Sequence, residues 1–239
     1  MSGRADNQEQ QLQVILQNTD GWVARYLNKR ISFPITRRLL KTRVTPNQIT
    51  FGNLCLAGLA AFWIVSPSWG LRVAGALLMQ LSSILDGCDG EVAKLKGLQS
   101  KSGAWFDTVA DDVTNNLFFI ALFVGLYRTT DLEIYWTFGW INVCLSAGVT
   151  AVIYHQLLTK GQSANAKDFE PTWQDPARVE KSWFDWLRPI MKRDFFILTM
   201  AIFIILDQRA VIFWMGCVAT LATFLLYGGS LAKSFSAKR

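Results

Sequence analysis

The sequence predicts an all-α integral membrane protein of six transmembrane helices, preceded by an amphipathic helix at the membrane interface. Three observations predict it. The 239-residue chain is 51% hydrophobic, with 16 Phe and 10 Trp. Several apolar runs approach the ~20 residues that an α-helix needs to cross a ~30 Å hydrocarbon core. The basic residues concentrate in alternate connections between those runs, a bias that orients helices in a membrane.

Residues 1–19, "MSGRADNQEQQLQVILQNT", are polar, without the basic start and apolar run of a secretory signal, and are expected to form a poorly ordered leader. In residues 20–43, Trp22, Val23, Tyr26, Leu27 and Ile31 recur at helical spacing with Arg25, Lys29 and Arg30 largely between them. That pattern predicts an interfacial helix, broken or bent at Pro34. The six-helix domain occupies 44–235, with spans at roughly 49–66, 70–93, 102–126, 134–158, 189–206 and 210–231, and a tail at 236–239. Spans two, three and five each have one polar end. The connection 159–188 is polar with interspersed Trp, and part of it is expected at the interface. The four cysteines include no CxxC pair and read as small buried apolar residues.

From Arg25 onward, seventeen lysines and arginines precede span one or lie between spans two and three or between and near the ends of spans four and five, and Lys233, Lys238 and Arg239 close the chain on the same side. Arg72, Arg128 and Arg209 lie opposite. Both termini are therefore expected on the cytoplasmic face of the cell (inner) membrane. The net charge of +6 then reads as topology and attraction to anionic lipid, with no nucleic-acid partner.

The segment 82–112, "SSILDGCDGEVAKLKGLQSKSGAWFDTVADD", holds five aspartates between apolar runs. Asp86 and Asp89 are three apart, Asp107 and Asp111 four apart, so each pair shares a helix face. The pairs end span two and begin span three, which are expected to be antiparallel neighbours. Four converging carboxylates need cations, and hard oxygen donors suit Mg²⁺, Mn²⁺ or Ca²⁺ rather than zinc, with two Mg²⁺ or Mn²⁺ ions the expected cofactors. Small residues around the acids, including Gly90, Ala93 and Gly103, leave room for a ligand.

"DGCDGEVAK" followed by eight residues and "GAWFDTVAD" resembles the CDP-alcohol phosphotransferase signature D-x2-D-G-x2-A-R-x8-9-G-x3-D-x3-D at Asp86, Asp89, Gly90, Ala93, Gly103, Asp107 and Asp111. "VTPNQIT" is similar to the family's entry into its first span, and Lys94 stands where the family usually has Arg. Asp112 stands where many members have Arg. The resemblance implies a metal-dependent transferase moving a substituted phosphate from a CDP-linked donor, CDP-diacylglycerol or another CDP-alcohol, to an acceptor hydroxyl with release of CMP. It implies Asp86, Asp89, Asp107 and Asp111 as metal ligands, with Asp111 also the general base. It places Pro46, Asn47, Gly90, Ala93, Lys94 and Gly103 in the CDP pocket, and it implies a homodimer. Basic residues near span five bind phosphorylated acceptors in other members, so Lys192 and Arg193 are the candidates for an acceptor phosphate, as on inositol phosphate. A weaker likeness to inositol-phosphate-using members points the same way. The alternatives are an ion-coupled transporter and an inactive membrane scaffold of the same fold.

Overall fold

The computed structural model describes residues 2–19, 21–160 and 192–236. The interfacial stretch expected within 159–188, the start of the fifth span and the end of the tail lie outside them. Among the described residues all regular structure is helical: α1 Ser2–Gln17, a π-helical turn Ala24–Asn28, α2 Lys29–Leu39, α3 Pro46–Ile64, α4 Trp69–Lys96, α5 Lys101–Thr130, α6 Glu133–Lys160, α7 Arg193–Ile205 and α8 Arg209–Ser236.

The leader differs from the expected irregular segment. It forms α1, anchored by Leu12, which is buried, and by an exposed Arg37–Glu9 ion pair of 2.6 Å. Pro34 does not end α2; it sits on the exposed side, where its missing N–H and its ring meet solvent or lipid rather than the core. The face of this segment that packs on α4 is made of small and polar residues, Ala24, Asn28, Ser32 and Thr36, all buried. Trp22, Tyr26 and Ile31 point away from the protein. An outward apolar face is what an interfacial helix offers to lipid.

The start of α3 follows from local chemistry. The Gln48 side chain accepts a hydrogen bond from the Thr45 N–H at 3.0 Å, and Pro46 occupies the first turn, where its lost donor costs nothing. Ala57, Ala60, Ala61 and Ile64 of α3 pack against the stretch of α4 around Gly75, Ala76 and Met79. A Cβ at Gly75 would stand 2.8 Å from the Ala60 carbonyl oxygen, so this close crossing requires glycine. Gly97 ends α4 in the left-handed conformation (φ 67°), and the Leu98 N–H returns to the Ala93 carbonyl at 2.8 Å. Three residues later the Ser100 hydroxyl accepts from the Gly103 N–H at 3.0 Å and starts α5. The turn between the aspartate pairs is therefore only four residues long, because both helices run past their acids.

α4 and α5 bring their acids together without packing closely along their lengths. Instead α3 packs against both, α7 packs on α4, and α6 packs on α5, so the two acid-bearing helices face each other across a gap. The core fills below that gap with Met79, Phe118, Leu122, Phe123, Met200 and Phe213.

By length and composition, three described helices are sufficient to cross a membrane: Trp69–Lys96, Lys101–Thr130 and Glu133–His155. Two of these are the spans read as weak from their polar ends. Those ends are extra turns beyond an apolar stretch of sufficient length. α3 falls short because it opens with Pro-Asn-Gln and carries Asn53, and the described apolar part of α8 stops at Leu225. α7 has 13 residues, about 20 Å at 1.5 Å each, short of the ~30 Å of a hydrocarbon core. The cysteines are all free; Cys88 is buried, whereas Cys55 and Cys144 are exposed, correcting their reading as buried residues.

Candidate active site

The i,i+3 and i,i+4 spacings put their carboxylates on facing sides of α4 and α5. One oxygen each from Asp86, Asp107 and Asp111 lies within 4.8 Å of the others. Asp89, the fourth predicted ligand, is buried one turn further along α4. It accepts the Thr50 hydroxyl from α3 and the Gly90 N–H at 2.6 Å.

Arg193 enters this cluster from α7. Its Nη1 lies 2.9 Å from Asp86 Oδ2 and 2.7 Å from Asp111 Oδ1, and its Nε donates to Asn115 Oδ1 at 3.0 Å. One guanidinium therefore compensates two of the carboxylates. Sequence reasoning assigned Arg193 to an acceptor phosphate; the structure places it directly between the predicted base and a predicted metal ligand. Lys192 immediately precedes α7, and its aliphatic stem lies beside Gly21.

The carboxylates suit a divalent cation. They offer hard oxygens at mutual distances that one or two ions can bridge, and a single arginine leaves the cluster net negative. Asn53 adds a second observation. Its Nδ2 approaches Asp86 Oδ1 at 3.4 Å, and its own Oδ1 is buried beside the cluster without a hydrogen-bond partner.

A cleft opens on the α3 side of the acids. Pro46, Asn47, Gly90, Ala93 and Gly103 line it, together with Thr50, Asp89, Asp107 and the Leu98–Ser100 turn. A Cβ at Gly90 would meet open space, whereas one at Gly103 would stand 2.9 Å from Ser100 Oγ and 3.3 Å from Asn47 Oδ1. Lys94 departs from the expectation. It is exposed and does not line the cleft, because the helical turn that directs Ala93 inward carries Lys94 about 100° round the axis.

Several residues that sequence reasoning missed hold the site in place. Glu91 is buried, pairs with Lys29 at 2.6 Å and accepts the hydroxyls of Ser32 (2.9 Å) and Thr36. These partners all lie on α2, so Glu91 ties the interfacial helix to the acid-bearing turn of α4. Asp194 accepts from Asn28 and Ser83, both at 3.1 Å, and fixes the start of α7 beside Arg193. The π-helical turn brings Asn28 into that contact. Asp112 turns away from the cluster and accepts the Tyr154 hydroxyl, whose ring meets Trp105 edge-on.

The profile of the CDP-alcohol phosphatidyltransferase family matches residues 43–224, more than half of the chain. The chain belongs to this family. It is an integral membrane protein. A bifunctional IPC transferase and DIPP synthase of Thermococcus kodakarensis is 41% identical over 149 residues, covering 62% of this chain and 32% of that protein. A phosphatidylinositol phosphate synthase of Corynebacterium glutamicum is 32% identical over 89 residues, covering 37% of this chain and 40% of that protein. The chain thus spans less than half the length of these curated relatives. Among solved structures, Mycobacterium tuberculosis phosphatidylinositol phosphate synthase with CDP-DAG bound superposes with a TM-score of 0.60 at 18% identity, over 83% of this chain and 92% of that one. That likeness establishes the fold.

Proposed function

We propose that this protein transfers a substituted phosphate from a CDP-linked donor to an acceptor hydroxyl and releases CMP. The observation that carries the proposal is the convergence of the signature aspartates beside a cleft lined by the signature's small residues. The cytidine diphosphate part of the donor lies in that cleft, against Gly90 and Gly103. Asp86, Asp89, Asp107 and Asp111 hold one or two Mg²⁺ or Mn²⁺ ions. When bound, the metal supplies positive charge to the pyrophosphate and to the departing CMP.

The chain's own residues do the rest. Asp111 takes the proton from the acceptor hydroxyl as its oxygen attacks the phosphorus distal to cytidine. Asn115 and Asp86 hold the Arg193 guanidinium beside Asp111, where it faces a reacting phosphoryl group or the phosphate of a phosphorylated acceptor such as inositol phosphate. Donors of two kinds fit the family, CDP-diacylglycerol and CDP-linked polar alcohols; the names of the relatives favour an inositol-phosphate acceptor.

Six spans, with both termini and the aspartates on the cytoplasmic face of the inner membrane, follow from the Lys/Arg bias. The homodimer follows from the family resemblance. Purified protein incubated with Mg²⁺, a panel of CDP-alcohols and a panel of acceptors tests the reaction. CMP release that requires both a donor and an acceptor is expected; no CMP from any pair would overturn it.

A further inference from the structure

A cavity of about 820 Å³ lies away from the aspartates, where the end of α2 and the loop after it meet the last turn of α4, with α1 forming one wall. Its lining carries four cations, Arg37, Lys41, Arg43 and Lys96, against a single carboxylate, Glu9. Leu12, Leu40, Leu95 and Leu98 supply the apolar part.

Two of the cations already have partners. Arg37 holds the Glu9 carboxylate in a fork, with Nη2 2.6 Å from Oε1 and Nε 3.2 Å from Oε2. Lys96 Nζ donates to the carbonyls of Thr42 at 2.9 Å and Val44 at 2.8 Å, and so fixes the backbone on both sides of Arg43. The other two are free to take a ligand. Lys41 and Arg43 are exposed and, among the described residues, make no ion pair and no side-chain hydrogen bond. Membrane topology asks only for positive charge near the end of a span. It does not account for a lysine that fixes the backbone around an arginine, nor for a cavity that sets unpaired cations beside leucines.

The lining selects its ligand. The fork on Glu9 shows that the site receives an anion through two oxygens at once, and a phosphodiester presents such a pair. The leucines call for an apolar portion next to that anion. Both belong to a phospholipid. The location agrees: α4 has 28 residues, about 42 Å, long enough to reach from one headgroup layer to the other across a bilayer of ~40–45 Å. The segment that leads into the cavity turns Trp22, Tyr26 and Ile31 outward, as a helix on a lipid surface does.

We propose that this cavity is a binding site for the headgroup of an anionic phospholipid, taken from the leaflet on which the interfacial helix lies. The phosphodiester lies against Lys41 and Arg43, and the glycerol backbone against Leu40 and Leu95. Glu9 is the internal competitor, because its carboxylate occupies the Arg37 fork that the lipid phosphate can use only by displacing it. The site shares Leu98 with the CDP cleft but none of the aspartates, and it does not depend on the phosphotransferase reading.

Native mass spectrometry of the full chain in detergent, titrated separately with phosphatidylglycerol, zwitterionic phosphatidylcholine and inorganic phosphate, tests the site. Wild type should bind one phosphatidylglycerol about ten-fold or more tightly than either of the others. Lys41→Gln/Arg43→Gln should weaken that binding about ten-fold. Arg25→Gln/Arg30→Gln removes the same charge from exposed positions of the same interfacial segment, outside the cavity, and should leave it within about two-fold. Glu9→Gln, which releases Arg37, should tighten it. All the altered side chains are exposed, so the variants should melt with wild type. Equal losses in the two double variants, no preference for phosphatidylglycerol over phosphatidylcholine, or weaker binding in Glu9→Gln would overturn the proposal. Inorganic phosphate bound as tightly as phosphatidylglycerol would overturn the assignment to a lipid.

Discussion

Replacing Arg193 with glutamine removes the one positive charge in direct contact with both Asp86 and Asp111. The guanidinium lies 2.9 and 2.7 Å from their oxygens. With charge centres about 4 Å apart and an effective dielectric near 20, each attraction is on the order of 4 kcal/mol. The repulsion left between two carboxylates with oxygens up to 4.8 Å apart is about 3.5 kcal/mol on the same scale. The three side chains are 21–31% exposed, so solvent screens part of this, and the desolvation of the arginine is recovered on its removal. A net loss of about 2–4 kcal/mol remains, which lowers the melting temperature of a domain this size by about 4–16 °C. The loss should be largest in EDTA. If Mg²⁺ binds the same carboxylates, as proposed, it should restore much of it and stabilise the variant more than wild type. Thermal melts in detergent with EDTA and with Mg²⁺ measure both effects. Equal melting temperatures for variant and wild type in EDTA, or the same Mg²⁺ shift for both, would refute the shared-site reasoning.

Other substitutions probe the remaining parts of the site. Asp111→Asn keeps the size of the side chain but cannot accept the acceptor's proton, so turnover should fall at least a hundred-fold while binding of the CDP-donor is largely kept, as measured by kinetics and equilibrium binding. Gly103→Ala puts a methyl 2.9 Å from Ser100 Oγ and 3.3 Å from Asn47 Oδ1, and should raise donor KM by about ten-fold with little change in acceptor KM; unchanged donor KM would place the cleft outside the donor site. Glu91→Leu leaves Lys29 unpaired and strands two buried hydroxyls, so a loss of about 3–5 kcal/mol is expected in chemical or thermal unfolding, and Glu91→Gln should recover part of it.

The site was legible where its residues are close in sequence. Asp86, Asp89, Asp107 and Asp111 announce themselves by carboxylates in apolar surroundings at helical spacings, and Gly90, Ala93 and Gly103 sit at fixed offsets from them. What depended on distant pairing was not legible. Arg193 was singled out only through the family resemblance, and its pairing with Asp86, 107 residues away, has no local signal. Glu91 resembles a variable position of the signature until Ser32 and Thr36 are seen against it. The role of α3, which packs against both α4 and α5, was not legible because no local pattern in its small residues names its two partners. α1 escaped because one buried leucine and one ion pair leave little pattern in a polar leader.

The central claim is that the aspartate cluster, loaded with a divalent cation, splits a CDP-alcohol in the presence of an acceptor. Phosphorus NMR of a single reaction tests it most directly, following CMP and the new phosphodiester with Mg²⁺, with EDTA and with Asp107→Asn. CMP and phosphodiester should appear in equal amounts with Mg²⁺, stop on addition of EDTA, resume with excess Mg²⁺ or Mn²⁺, and be absent in the variant. CMP formed at the full rate in EDTA, or by Asp107→Asn, would contradict the account.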